Sequence, residues 1–235
     1  MIDIDQYFSN GYASLKLSEV CTDMDTFNAT ADKVMSIPIN NQTYSYVLSV
    51  FGKHNDPEWP FKISADQVDT FKAKLQEQKL WATQQWFESS GIGEKEFFRD
   101  LVCSFIRQYY PEIKEDFSNL FCQDSFTLYK KGDFSDKHRD GQNPGRLCVV
   151  LIYLTEEKYY NDAGGLLTVS GDNEEDSNAL VIKPIRGNIA IMDFTRHNPF
   201  HGVDSVTEDF NRYCYITFLW NTDKMPNNIR PKGYK

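Results

Sequence analysis

The sequence predicts a mainly β protein, a β sandwich or jelly roll with helices packed on one sheet. Three observations predict it. From about residue 124 onward, apolar residues recur with a period of two. Turn-forming clusters break that pattern at even intervals: Lys131-Gly132-Asp133, Asn143-Pro144-Gly145, Asp162-Ala163-Gly164-Gly165, Gly171-Asp172-Asn173 and Arg186-Gly187-Asn188. Ahead of this region, two stretches carry helical spacing instead.

Taken in order, "YASLKL" (12–17) alternates like a short strand and "YSYVLSVF" (44–51) is rich in β-formers. "HNDPEWP" (54–60) has the chemistry of a turn and contains His54, which reads as a surface residue. Ser64-Ala65-Asp66-Gln67 fits a capping box, opening a helix to about Ser89 with Val68, Phe71, Leu75 and Leu80 on one face. A second helix runs from about Glu94 to Tyr110. Phe97, Phe98, Leu101, Val102, Phe105 and Ile106 form its apolar stripe, and Pro111 stops it. Strands follow at 125–130, 147–154, 165–170, 179–184, 188–193 and 212–220, with short pieces near 136–140 and 200–204. The expected organisation is a single domain over 1–235. Strands and support helices fill 1–123, a jelly-roll core fills 124–221, and 222–235 form a tail.

Composition narrows the function classes. The chain has 235 residues, 40% hydrophobic and 14% aromatic, enough to build a core. Its formal net charge of −9 disfavours a nucleic-acid binder, since phosphate contacts need lysine and arginine. Five cysteines, at 21, 103, 122, 148 and 214, form no CxxC, and several lie in apolar runs. Free thiols in a reducing compartment are expected, hence a cytoplasmic protein. The acidic start "MIDIDQYFSN" does not look like a targeting peptide, and no apolar run reaches the ~20 residues that span a bilayer.

The chemistry-bearing residues begin at "KHRDG" (137–141). Side chains two apart on an extended segment share a face, so His138 and Asp140 could close on one object while Arg139 points away. Alone, an HxD pair is a weak signal. His201, in "NPFHGV", supplies a second imidazole 63 residues on, and Arg212 opens "RYCYITFLW". The order His-x-Asp, His, Arg is that of a facial triad of two histidines and one carboxylate on non-haem Fe(II), followed by a co-substrate anchor. His197 is the rival third ligand, but it precedes a turn, Asn198-Pro199, whereas His201 enters a strand. Counting by twos, Arg212, Cys214, Ile216, Phe218 and Trp220 share one face, expected to be the barrel interior.

Over about residues 124–220 the chain resembles the 2-oxoglutarate and Fe(II)-dependent oxygenases, within them the prolyl 4-hydroxylase-like branch. The resemblance rests on "LYKKGDFSDKHRDGQNPGRLCVVLIYL", "GGLLTV", "KPIRGNIAIMDF" and "RHNPFHGVDSVTEDFNRYCYITFLW". It implies a double-stranded β-helix (a cupin-like jelly roll). Its cofactors would be Fe(II), 2-oxoglutarate as co-substrate and O₂, with ascorbate as an accessory reductant. Carried over, His138, Asp140 and His201 match the iron ligands, and Arg212 matches the partner of the distal carboxylate of 2-oxoglutarate. Tyr129 and Tyr153 match co-substrate tyrosines, with plain core aromatics as the alternative. Arg146 falls near the substrate entrance. The implied activity is hydroxylation of an unactivated C–H bond, first of a prolyl residue in a protein or peptide. A small molecule such as a free amino acid is the alternative. Asp140 fills a position that halogenating relatives leave open. A non-catalytic metal-binding jelly roll and a zinc hydrolase remain as readings of another class. The sequence leaves the oligomeric state open.

Overall fold

The structure is a computed structural model and describes residues 7, 9–38, 44–50, 61–63, 67, 80–87, 93–140, 143–160, 162–171 and 179–226. The strands at 44–50, 61–63 and 80–87 are described by their backbone pairing alone.

Two antiparallel sheets face each other. The first sheet takes the order β1 (Tyr12–Lys16), β10 (Asn188–Asp193), β7 (Arg146–Tyr153), β12 (Arg212–Asn221), β5 (Leu120–Tyr129). The second runs β6 (Phe134–His138), β11 (Phe200–Val203), β8 (Leu167–Ser170), β9 (Leu180–Ile182). Between them β4 (Leu80–Phe87) pairs with both β5 and β6, and also with β2 (Tyr44–Val50), which pairs in turn with β3 (Phe61–Ile63). This is the jelly roll that the strand count and turn spacing led us to expect.

One expectation is corrected. The helix read from 64 to 89 does not run to its end, because Leu80–Phe87 is a strand. Trp81, Thr83 and Phe87 favour extended backbone, and pairing with three other strands overrides the loose helical spacing of Leu75 and Leu80. The Ser64–Asp66 part of the capping box and residues 68–79 lie outside the described residues, as do His54 and the whole 54–60 turn.

The first sheet is buried on both faces, which explains the unbroken apolar run "LCVVLIYL". On β7, Cys148, Val150 and Ile152 join a core beneath the helices, while Val149, Leu151 and Tyr153 join a second core between the sheets. The covering helices are α1 (Met24–Met35) and α2 (Glu94–Ile106). Sequence reading missed α1. Its start is marked by Asp23, whose side chain accepts from the Thr26 amide at 2.9 Å, and Phe27, Ala31 and Val34 line its buried face. Helix α2 was expected. It buries Phe98, Leu101, Val102, Phe105 and Ile106, and Phe98 stacks on Tyr215 of β12 at 5.1 Å between ring centroids. Among the described residues no helix is long and apolar enough to cross a membrane.

Candidate active site

Strand register builds the site. In the antiparallel pair β6·β11, His138 lies directly opposite His201, so two imidazoles from distant parts of the chain meet at one end of the barrel. Their ring centroids are 4.4 Å apart. A bulge separates His201 from Val203, and the strands come very close at the glycine between them. A Cβ on Gly202 would sit 2.9 Å from both the Lys137 nitrogen and the Ser135 carbonyl oxygen. Only glycine lets the two histidine-bearing strands approach this closely.

Each imidazole is oriented by main chain. The Nδ1 of His138 lies 2.8 Å from the Asp136 carbonyl oxygen, and the Nδ1 of His201 lies 3.2 Å from that of Pro199. A carbonyl only accepts, so the proton belongs on Nδ1 and both Nε2 lone pairs face the centre. Asp140 follows two residues after the last strand residue, His138. One carboxylate oxygen lies 3.6 Å from His138 Nε2 and the other 3.7 Å from His201 Nε2. Among the described residues these three form the one group of three or more potential metal ligands, with donor atoms all within 4.8 Å.

The electrostatics suit a divalent cation. Burial works against the Asp140 charge. The His201 and His138 rings beside it and the Arg146 guanidinium more than compensate, so the carboxyl titrates well below the usual range. Burial also depresses the His201 pKa, although Asp140 opposes this. Near neutral pH the site thus offers an anionic oxygen and a neutral imidazole, the protonation states a metal requires. His197 is not in this group. It packs on Gly11, where an added Cβ would come 2.5 Å from its own Cβ.

Deeper in the barrel lies Arg212, 1% exposed, at the start of β12 and opposite Tyr129 across β5. Its Nε donates to the Gly165 carbonyl at 2.8 Å and its Nη2 to the Tyr153 hydroxyl at 3.2 Å. The guanidinium lies 4.6 Å from the Tyr129 ring centroid and 5.0 Å from that of Tyr153. Burial opposes its charge, yet Tyr153 and Tyr129 hold its pKa above the ordinary arginine value. Burial raises both phenols, so they remain neutral donors. No carboxylate among the described residues pairs with Arg212. A buried guanidinium without an anion is a site prepared for one.

Arg146 stands elsewhere. Its Nη1 donates to the main-chain carbonyl of Asp140 at 3.0 Å, and its Nη2 is 4.0 Å from the Asp140 carboxylate. Three further features escaped sequence reading. Gly202 is the first, and an unexplained glycine inside a strand was its signal. Gly165 is the second: at φ +69° it accepts from Arg212, and an added Cβ would lie 3.1 Å from Arg212 Cδ. The third is the fully buried Asp193, which accepts from the Thr195 amide and hydroxyl and lies 2.8 Å from the Tyr110 hydroxyl. It fixes the turn that leads into His201, and no local pattern marks it.

Residues 125–220 match the family model described as the 2OG-Fe(II) oxygenase superfamily. That region carries the domain of a 2-oxoglutarate-dependent dioxygenase, whose cofactor and co-substrates are Fe(II), 2-oxoglutarate and O₂. No curated protein matches the sequence. Solved structures share the oxygenase's fold at low identity. A prolyl hydroxylase from Trichoplax adhaerens, in complex with a hypoxia inducible factor oxygen degradation domain peptide, is 15% identical with a TM-score of 0.57, over 94% of this chain and 88% of that one. A Pseudomonas putida prolyl-4-hydroxylase is 14% identical with a TM-score of 0.56, over 93% and 96%. The alpha ketoglutarate dependent epimerase SnoN from nogalamycin biosynthesis is 10% identical with a TM-score of 0.53, over 99% and 89%.

Proposed function

We propose that the oxygenase hydroxylates an unactivated C–H bond, with a prolyl residue of a protein or peptide as the first substrate class. The observation that carries the hydroxylase reading is the pairing of a two-histidine, one-carboxylate cluster with a buried arginine that has no carboxylate partner among the described residues. The prolyl reading is supported by likeness of fold to the Trichoplax and Pseudomonas enzymes.

His138, Asp140 and His201 would hold the metal from one side, leaving the opposite side open to other ligands. Arg212 would bind the distal carboxylate of 2-oxoglutarate, with Tyr129 and Tyr153 walling the same pocket. Together, Fe(II), 2-oxoglutarate and O₂ supply the oxidising power: one oxygen atom enters the substrate, and the co-substrate leaves as succinate and CO₂. The protein's own part is to fix the tautomers of two imidazoles, keep one carboxylate ionised, exclude water behind Arg212 and aim the C–H bond. All five cysteines are free, in keeping with a cytoplasmic setting.

The test is to incubate purified protein with Fe(II), 2-oxoglutarate and host lysate proteins, reading succinate release and the gain of one oxygen atom by mass spectrometry. Oxygen on proline, dependent on 2-oxoglutarate, is expected. Substrate-stimulated succinate release with the oxygen on a small metabolite would move the substrate to the second class, in line with the biosynthetic role named for SnoN. Hydrolysis with zinc, or metal binding without succinate, would overturn the hydroxylase reading.

A further inference from the structure

We propose that Arg146 is a positioning residue for the iron-binding carboxylate, acting through Asp140 and not through the substrate. The inference rests on the iron-site reading above and asks what holds its least supported member. His138 and His201 are fixed by strand register and by main-chain carbonyls. Asp140 has no such frame, because β6 ends two residues before it.

Arg146 supplies the missing frame. It is the first residue of β7 and lies opposite Trp220 of β12, beside the bulge at Leu219/Trp220. Its guanidinium is packed among aromatic rings, 4.2 Å from the Phe218 centroid, 4.9 Å from Phe194 and 5.4 Å from Trp220. Its side chain is only 10% exposed. A guanidinium confined this way points its fork in one direction, and that direction is Asp140. Nη1 donates to the main-chain oxygen at 3.0 Å, while Nη2 faces the carboxylate at 4.0 Å. The first contact holds the backbone of the ligand and the second orients its charge. Lysine cannot copy both, because an ammonium is a point charge without a planar fork.

Residues that support a metal ligand from behind typically contribute on the order of 10–100-fold to metal affinity. The experiment is anaerobic equilibrium dialysis of Fe(II) against wild type, Arg146→Lys, Arg146→Met and His138→Ala, with thermal unfolding of each metal-free protein as the control for folding. Wild type should bind one Fe(II), and His138→Ala should bind little. Both Arg146 variants should unfold near the wild-type temperature and bind Fe(II) roughly 10–100-fold more weakly, Met more weakly than Lys. Fe(II) affinity unchanged in Arg146→Lys, with only the Michaelis constant of the organic substrate raised, would overturn the proposal and return Arg146 to the substrate entrance. If Arg146→Met fails to fold, the Lys variant decides. If wild type itself binds no Fe(II), it is the iron-site reading that fails, a result distinct from unchanged binding in the Lys variant.

Discussion

Strand β12 shows two environments on one stretch of chain. Tyr213, Tyr215 and Leu219 point under the helices into a core of aromatic and aliphatic side chains. Arg212, Cys214, Ile216 and Phe218 point between the sheets, where a charge sits at one end. The helix-covered face stores stability, since its contacts are apolar and closely packed. The interior face carries the candidate site residues, and the polar groups there are held by backbone and by one another. Variants on the two faces should therefore fail differently: one kind should unfold, the other should stay folded and stop working.

The sharpest break of this contrast is His201→Ala. Turnover should be abolished, whereas the apparent unfolding temperature should stay close to wild type, because jelly-roll stability comes from strand packing. His197→Ala, which changes a residue packed on Gly11, should retain the reaction. Full activity in His201→Ala with loss in His197→Ala would reverse the ligand assignment.

Opposite in kind is Phe98→Ala on α2. Phe98 is fully buried, stacks on Tyr215 and meets Phe126 edge-on at 5.5 Å. Its removal should cost about 3–5 kcal/mol of stability, as large-to-small aromatic changes in cores do. The fraction that remains folded should bind Fe(II) as wild type does. Denaturant unfolding alongside metal dialysis checks both halves, and a matched fall in metal affinity would show that the two faces are not separable.

Arg212→Ala tests the interior face away from the metal. Loss of a buried charge-assisted pair costs on the order of 2–5 kcal/mol, or roughly 30- to several-thousand-fold. The apparent Michaelis constant for 2-oxoglutarate should rise by that factor while Fe(II) affinity holds. Gly165→Ala should act in the same direction by pressing on Arg212 Cδ. An unchanged 2-oxoglutarate requirement in both variants would remove Arg212 from the co-substrate pocket.

What was legible in the sequence follows the same division. Period-two alternation revealed the strands of both sheets, and counting by twos from Arg212 found the interior face of β12, because alternation is a local property. His138, Asp140 and His201 were legible through residue type and order. The register that sets His138 opposite His201 was not, since pairing between strands 63 residues apart leaves no local trace. Strand β4 was misread for the same reason: its partners, and not its spacing, make it a strand. Arg146 was found as a residue, but the contact that gives it meaning runs to a main-chain carbonyl, which any sequence would supply.

The smallest expected effect concerns pH and the metal-free protein. Burial lowers the His201 pKa below its unfolded value of about 6.5. The Asp140 pKa lies below its unfolded value of about 3.9. In both windows the unfolded chain binds more protons than the folded one, so stability rises with pH and falls as acid is added. For His201 the loss begins as pH drops through about 6.5 and ends at the lower folded value. Its slope cannot exceed about 1.4 kcal/mol per pH unit for one proton. The Asp140 loss comes later, below about pH 3.9. Urea unfolding of metal-free wild type and His201→Gln between pH 7.5 and 5 isolates the first window, because glutamine cannot titrate there. The wild type should lose stability with acid more steeply than the variant. A wild type that gains stability on acidification relative to His201→Gln would mean that His201 is protonated and paired with Asp140 in the folded protein. The imidazole would then hold a proton that Fe(II) must displace, and metal binding would release it. Dialysis at two buffer pH values would reveal that release as an iron affinity rising steeply with pH.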